Sequence, residues 1–295
     1  MTPLLVSFPG NERMAEALTR EIQAEIGAIT VRRFPDGESY VRFDTPVAGR
    51  SVVLICTLDR PDDKFLPLLF AAAAARDLQA ARVGVIAPYL AYMRQDKRFQ
   101  PGEAITSNDF GRMLSERIDW LVTVDPHLHR HASLGEIYSI PTRIAHSAPL
   151  ISAWIRGNVD QPLLIGPDSE SKQWVAAVAR NAGAPYLVLH KTRHGDRDVE
   201  VSIPEVERYR GHTPVLVDDI ISTAHTMIEP ISHLRRQGMP PPVCIAVHGV
   251  FAGTAYDDLL QAGAARVITS NTIPHPSNQI DVCGLIASSI LPLAS

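Results

Sequence analysis

Short runs of apolar, β-branched residues recur along this chain, each separated from the next by room for one helix. This alternation constrains the fold more than any other feature. "SVVLICT" (51–57), "RVGVIAP" (82–88) and "WLVTVDP" (120–126) are almost continuously Val, Ile and Leu. Strands of that kind are apolar on both faces, as strands covered by helices on both sides must be. Between them, "FLPLLFAAAAARDLQA" and "SNDFGRMLSERI" read as helices. The second half continues with "PLLIGP", "YLVLHK", "PVLVDD", "CIAVHG" and "RVITSN", separated by "SESKQWVAAVARNAG", "HTMIEPISHLRRQG" and "AYDDLLQAGA". Strand, helix, strand in succession predicts parallel sheets with crossover helices, an α/β architecture.

The two halves share a plan. A strand, a helix and a second strand lead into a basic loop twice, "RQDKR" at Arg94–Arg98 and "KTRHGDR" at Lys191–Arg197. The next strand then ends in an acidic and polar cluster twice, "DPHLHR" at Asp125–Arg130 and "DDIIST" at Asp218–Thr223. A chain of 295 residues is long enough for two domains, each with its own core. The reading is therefore two similar α/β domains, 1–146 and 147–295, with the last helix able to pack back on the first.

A chain that is 45% hydrophobic and 20% charged is neither disordered nor fibrous. The net charge of −4 supplies no general basic field, so no nucleic-acid partner is expected. Cys56, Cys244 and Cys283 are widely spaced and odd in number, which fits reduced thiols better than a disulfide framework or a zinc ribbon. The opening "MTPLLVSFPGNER" does not read as a secretory signal, and the longest apolar run, Phe65–Ala75, is short for a membrane span and contains Pro67. No membrane association and a cytoplasmic location are expected.

Against that background, "VLVDDIISTAHTM" (215–227) asks why two carboxylates end a buried strand. Ligands of open parallel sheets bind outside the carboxyl ends of strands. After this strand, Ser222, Thr223, Ala224 and Thr226 are small enough for a tight curl. A helix starting near Thr226 would aim free N–H groups and its positive end at an anion. Asp218 and Asp219 suit vicinal hydroxyls or a metal, so a phosphate beside a sugar diol satisfies the whole stretch. The plainer reading is an ordinary helix cap with solvated aspartates.

This stretch resembles the ribose-5-phosphate-binding signature shared by phosphoribosyltransferases and phosphoribosyl diphosphate (PRPP) synthetases, the ribose-phosphate diphosphokinases. Other segments are similar to the synthetases alone. "RRFPDGESYVRF" (32–43) resembles their Phe-x-Asp-Gly-Glu loop, "PYLAYMRQDKRFQPGEAIT" (88–106) their Tyr-x-x-x-Arg-Gln-Asp segment, and "VDPHLHR" their Asp-x-His strand end. "IGPDSES" (165–171) and "HKTRHGDRDVEV" (190–201) resemble the metal-site aspartate and the catalytic flexible loop.

The resemblance implies two phosphoribosyltransferase-like domains, ATP on the first and ribose 5-phosphate on the second. It implies transfer of the diphosphoryl group of ATP to the 1-hydroxyl of ribose 5-phosphate, giving PRPP and AMP. By the same resemblance, Lys191 and Arg193 are catalytic. Phe34, Asp36, Gly37, Glu38, Arg94, Gln95 and His127 bind ATP, the 34–38 loop by reaching into a neighbouring subunit. Arg193, Asp218, Asp219, Ser222, Thr223, Ala224, His225 and Thr226 bind ribose 5-phosphate, and His127 with Asp168 holds Mg²⁺. A homo-oligomer is implied, a dimer at least, with a hexamer as the larger assembly.

The chain departs from the family pattern at three places. Ser222 stands where many synthetases carry Asp, which resembles the archaeal-type members. His225 stands where Gly is usual, and Pro126 where Leu is usual. Taken singly, each motif has a plainer reading: Pro35-Asp36-Gly37 as a turn, Arg94–Arg98 as a solvated mixed-charge loop, Asp168 as a helix cap. The alternating His127, His129 and His131 also permit a zinc hydrolase built on a (β/α)₈ barrel. The motifs together also leave room for a catalytically weak regulatory homologue or a phosphoribosyltransferase.

Overall fold

The computed structural model describes residues 2–128, 130–167, 171–193, 199–202 and 206–294. The chain divides into two compact units, Met1–His146 with Val282–Ser295, and Ser147–Asp281. The first unit runs β1 (Leu4–Ser7), α1 (Glu12–Ile22), β2 (Glu25–Gly27), β3 (Ile29–Arg33), β4 (Ser39–Phe43), β5 (Ser51–Ile55), α2 (Pro61–Asp77), β6 (Arg82–Ala87), α3 (Thr106–Ser115), β7 (Trp120–Val124) and β8 (Thr142–Ala145). Six of these strands form one sheet in the order β2-β1-β5-β6-β7-β8, every pair parallel. Every residue of β5 and β7 is buried, including Ser51 and Thr123, as their largely apolar sequences lead one to expect. Where β6 and β7 meet, Gly84 lies opposite Trp120, and the missing side chain gives the indole its place. Strands β3 and β4 form a separate antiparallel hairpin, in register from Ile29↔Phe43 to Arg33↔Ser39.

The second unit runs α4 (Ala148–Asn158), β9 (Pro162–Gly166), α5 (Lys172–Ala182), β10 (Tyr186–Val188), β11 (His190–Arg193), β12 (Val199–Ser202), β13 (Thr213–Ile221), α6 (His225–Arg236), β14 (Val243–Gly249), α7 (Ala255–Ala262), β15 (Arg266–Ser270) and β16 (Asn278–Ile280). Its sheet has the order β10-β9-β13-β14-β15-β16, again all parallel, with β11 and β12 as an antiparallel pair. Helix α6 buries Met227, Pro230, Ile231 and Leu234, spaced at three and four residues so that they share one face. Met227, Ile231 and Leu234 join Leu216, Cys244 and Ala246 in one core cluster. Burial of each large apolar side chain contributes about 1.5–3 kcal/mol. The final helix, α8 (Cys283–Ala294), packs on α1, β7 and β8 of the first unit.

The two units are topological copies. Strands β2, β1, β5, β6, β7 and β8 answer in order to β10, β9, β13, β14, β15 and β16, and each unit inserts one antiparallel hairpin at the same point of the chain. This corrects the internal matching read from the sequence. Arg94–Arg98 follows β6 and has its counterpart after β14, whereas Lys191–Arg193 lies in a hairpin strand whose counterpart is β3. Likewise Asp125–Arg130 follows β7 and answers to the segment after β15. The cluster beginning at Asp218 closes β13 and answers to Thr57–Asp59 after β5. That last pair shares a local detail: the residue before the next helix is left-handed in both, Arg60 (φ 51°) before α2 and Ala224 (φ 63°) before α6.

Two open six-stranded sheets exclude the single (β/α)₈ barrel on which the zinc-hydrolase reading depended. Cys56, Cys244 and Cys283 are buried thiols that form no disulfide, and among the described residues no helix is long and apolar enough to cross a membrane.

Candidate active site

Strand β13 is apolar and buried through Val217, then presents Asp218 and Asp219, both half-buried, before closing with Ile220 and Ile221. The Asp219 N–H donates to Asp218 Oδ1 at 2.9 Å, which fixes the first carboxylate against the backbone. The chain then turns through Ser222 and Thr223 into Ala224, whose φ of 63° and ψ of −4° are left-handed. That conformation costs an L-residue about 1–2 kcal/mol. It persists because its surroundings hold it. The Ile221 carbonyl accepts the N–H groups of Val250 and Phe251, and the Ser222 carbonyl that of Ala252, all at 3.0 Å. The Ala224 carbonyl accepts from Met227 and Ile228 at 2.9 and 3.0 Å and so starts α6.

The backbone N–H groups of Thr223, Ala224, His225 and Thr226 meet no acceptor among the described residues. They open at the positive end of α6, which follows Asp218 and Asp219 at the carboxyl end of β13 in a parallel sheet. Such a place takes a doubly charged oxyanion through backbone donors while the carboxylates accept from neighbouring hydroxyls. His225 is itself helical, so the imidazole at a usual glycine position carries no strain. The positive φ falls one residue earlier, on the small and buried Ala224.

Of the other predicted residues in this unit, Lys191 and Arg193 lie on β11, their backbones paired with Val201 and Val199 of β12. Asp168 lies outside the described residues, as does His129 in the first unit.

In the first unit, Phe34–Glu38 is the tip of the β3–β4 hairpin, and all five residues are exposed. Gly37, at φ 96°, makes the reversal, with its N–H on the Phe34 carbonyl at 2.9 Å and the Phe34 N–H on the Glu38 carbonyl at 2.7 Å. Asp36 Oδ1 accepts from the Glu38 N–H at 3.2 Å. The Arg32 guanidinium lies over the rings of Tyr40 and Phe34, 4.0 and 4.8 Å from their centroids. The segment is thus an exposed turn, with the Phe34 ring against Arg32 and Tyr40.

The loops after β6 and β7 leave adjacent strand ends. Arg94 is exposed and Gln95 half-buried, its carbonyl accepting the Ser107 N–H at 3.4 Å. His127 is half-buried just past β7. Asp125, at φ 30°, holds His146 Nδ1 at 3.1 Å, and this hydrogen bond raises the His146 pKa above its ordinary 6.5. Farther along, His131 Nδ1 meets Glu136 at 2.9 Å and lowers its carboxyl pKa. Sequence reasoning missed a buried carboxylate here. Asp96 is bound by Arg130, and nothing in "RQDKR" distinguishes a buried acid from a solvated one.

No group of three metal-ligating side chains occurs among the described residues. Of the two residues expected to hold Mg²⁺, His127 is described and half-buried; a single imidazole would leave most of a cation's coordination to water and phosphate oxygens.

Residues 4–117 match the family model described as the N-terminal domain of ribose phosphate pyrophosphokinase, and residues 133–283 match the phosphoribosyl transferase domain. The chain is similar to proteins named ribose-phosphate pyrophosphokinase from three archaea. It is 34% identical to that of Saccharolobus solfataricus (92% of this chain, 93% of the relative) and 32% to that of Sulfolobus acidocaldarius (90% and 92%). It is 31% identical to that of Methanopyrus kandleri (94% and 95%). Among solved structures it resembles the phosphoribosylpyrophosphate synthetase of Mycobacterium smegmatis, with a TM-score of 0.86, 26% identity and 99% of each chain covered.

Proposed function

This chain belongs to the ribose-phosphate pyrophosphokinase family, and on that premise we propose how its own residues divide the work of forming PRPP from ribose 5-phosphate and ATP. The oxygen of the ribose 1-hydroxyl gives up its proton to solvent and bonds to the β-phosphorus of ATP. The bond from that phosphorus to the α,β-bridging oxygen breaks, and AMP leaves with the bridging oxygen.

The left-handed turn at Ala224, with open N–H groups beside Asp218 and Asp219, carries the reading. Thr223–Thr226 hold the 5-phosphate, with the Ser222 hydroxyl at the rim, and the two carboxylates take the ribose hydroxyls. This makes 147–281 the ribose-phosphate side and 1–146, with the returning α8, the nucleotide side. On the nucleotide side, Arg94 and Gln95 hold ATP, with His127 near its phosphates. The exposed Phe34–Glu38 arm supplies Phe34, Asp36, Gly37 and Glu38 to the adenine site of a second copy, so the working unit is a homo-oligomer. Lys191 and Arg193 bring fixed positive charge to the transferring group, where charge develops. Mg²⁺, held by His127 and Asp168 with phosphate oxygens, supplies charge neutralisation when bound. The setting is cytoplasmic, without nucleic-acid or membrane partners.

The test is formation of AMP and PRPP by purified protein given ribose 5-phosphate, ATP and Mg²⁺, with Lys191→Ala in parallel. Equimolar AMP and PRPP from the native chain, reduced by about 10²-fold or more in the variant, are expected. Tight ribose 5-phosphate binding without AMP under any metal or phosphate condition would point to a regulatory homologue or a transferase instead.

A further inference from the structure

Asp96 is a carboxylate with a 2% exposed side chain in the loop after β6. Nη1 of Arg130, in the loop after β7, donates to both of its oxygens, at 2.9 and 3.1 Å. Taking a carboxylate from water costs several kcal/mol unless a cation and hydrogen bonds meet it. Arg130 supplies that cation and those hydrogen bonds to the loop after β6. A second contact ties the same segments, since the Arg130 guanidinium lies 5.5 Å from the centroid of Phe99 and the Lys97 ammonium 5.2 Å from that ring. Phe99 is in turn fixed by its N–H on Glu103 Oε2 at 2.7 Å. Asp96 directly follows Gln95, and Arg130 lies three residues beyond His127.

We propose that Asp96 and Arg130 form a strap that sets the Arg94–Gln95 segment against the His127 loop before nucleotide arrives. The proposal rests on the nucleotide reading of these two loops given above. Strands β6 and β7 are hydrogen-bonded neighbours, so the loops leave the sheet side by side, but residues 88–105 form one long irregular connection that strand pairing alone does not hold. If the nucleotide had to order it, that cost would appear as weaker ATP binding. Asp96 and Arg130 are positioning residues: they act through Gln95, Arg94 and His127, and on one of the two substrates only.

The experiment compares native protein with Asp96→Asn, Arg130→Gln, the double variant and Arg130→Lys. It measures ATP binding by calorimetry, both Michaelis constants, kcat and the melting temperature. Each single charge removal is expected to raise the ATP Kd and KM about tenfold, the effect of losing one charge-assisted contact in a positioned loop. KM for ribose 5-phosphate stays unchanged and kcat stays within about twofold. The double variant is no worse than either single, because both remove one interaction, and Arg130→Lys recovers most of the loss.

Unchanged ATP binding in the single variants overturns the strap. So does a loss of kcat and both Michaelis terms that merely follows a lowered melting temperature, which would make the pair structural. If native protein binds ATP but forms no PRPP, the functional reading fails while the strap still stands or falls on ATP binding. If native protein does not bind ATP, both fall.

Discussion

Replacing Gly84 with Ala is a one-carbon change with a large expected effect. The added Cβ would lie 2.0, 2.1 and 2.6 Å from Cε2, Cζ2 and Cδ2 of Trp120, against about 3.5–4.0 Å for an ordinary carbon contact. The indole is fully buried, 0% exposed, and it is a rigid ring with no flexible end to yield. Relief requires Trp120 to slide or β6 and β7 to part. Overpacking of this kind costs about 1–3 kcal/mol, and more when backbone must move. Losing glycine from a strand returns about 0.5–1 kcal/mol. The net expected loss is about 2 kcal/mol. For a unit of this size, each kcal/mol lowers the melting temperature by about 2–4 °C, so a fall of about 4–8 °C follows.

Trp154 and Trp174 belong to the second unit, so a Trp154→Phe, Trp174→Phe background leaves Trp120 as the reporter, and its emission should shift as the ring is displaced. Gly157→Ala is the control, because a Cβ there meets nothing within 4 Å, and it should raise stability by about 0.5–1 kcal/mol. If Gly84→Ala melts within about 1 °C of its parent with unchanged Trp120 emission, the argument from the β6–β7 contact is wrong.

At the proposed phosphate turn, Ala224→Gly should change stability by no more than about 1 kcal/mol, because relief of the left-handed φ offsets the lost buried methyl and the looser unfolded chain. Ala224→Val, bulkier and β-branched, should cost about 2 kcal/mol or more and weaken ribose 5-phosphate binding; equal binding by both variants would refute the geometry. His146 should titrate above 6.5 by NMR, and Asp125→Asn should move it back down. Because the folded pKa is the higher one, the stabilisation is fully present below pH 6.5 and fades as pH rises through the folded pKa. An unmoved His146 resonance in the variant would show that the ion pair does not set this titration.

The sheet interiors were readable in the sequence because β5, β6 and β7 are covered on both faces and so written mostly in apolar residues. The hairpin strands were not. Strand β3 ends in exposed Arg32 and Arg33, and a strand that faces solvent carries no apolar signal. The duplication was legible but mis-phased, since loops were matched by charge while the fold matches them by position after a strand. The phosphate turn was legible as a cluster of small residues. That Ala224 rather than His225 takes the left-handed conformation depends on carbonyls held by Val250, Phe251 and Ala252, which no local pattern reveals. The Asp96–Arg130 pair spans 34 residues, beyond any helix or hairpin spacing, and reads as solvated charge until the loops are folded.

The left-handed residue that opens α6 has a twin opening α2, and the two have opposite electrostatic fates. At Arg60 the helix that follows begins with Pro61, which has no N–H to give, and continues with Asp62 and Asp63. Asp63 is tied to Arg33 at 2.6 Å and Asp62 accepts from the Tyr92 hydroxyl. These carboxylates are anions already tethered to the positive pole of α2, at an effective concentration no free metabolite matches. The left-handed residue therefore opens two helices of opposite character: α6 has no acid in its first turn, whereas α2 starts with a proline and two aspartates whose charge repels a free anion.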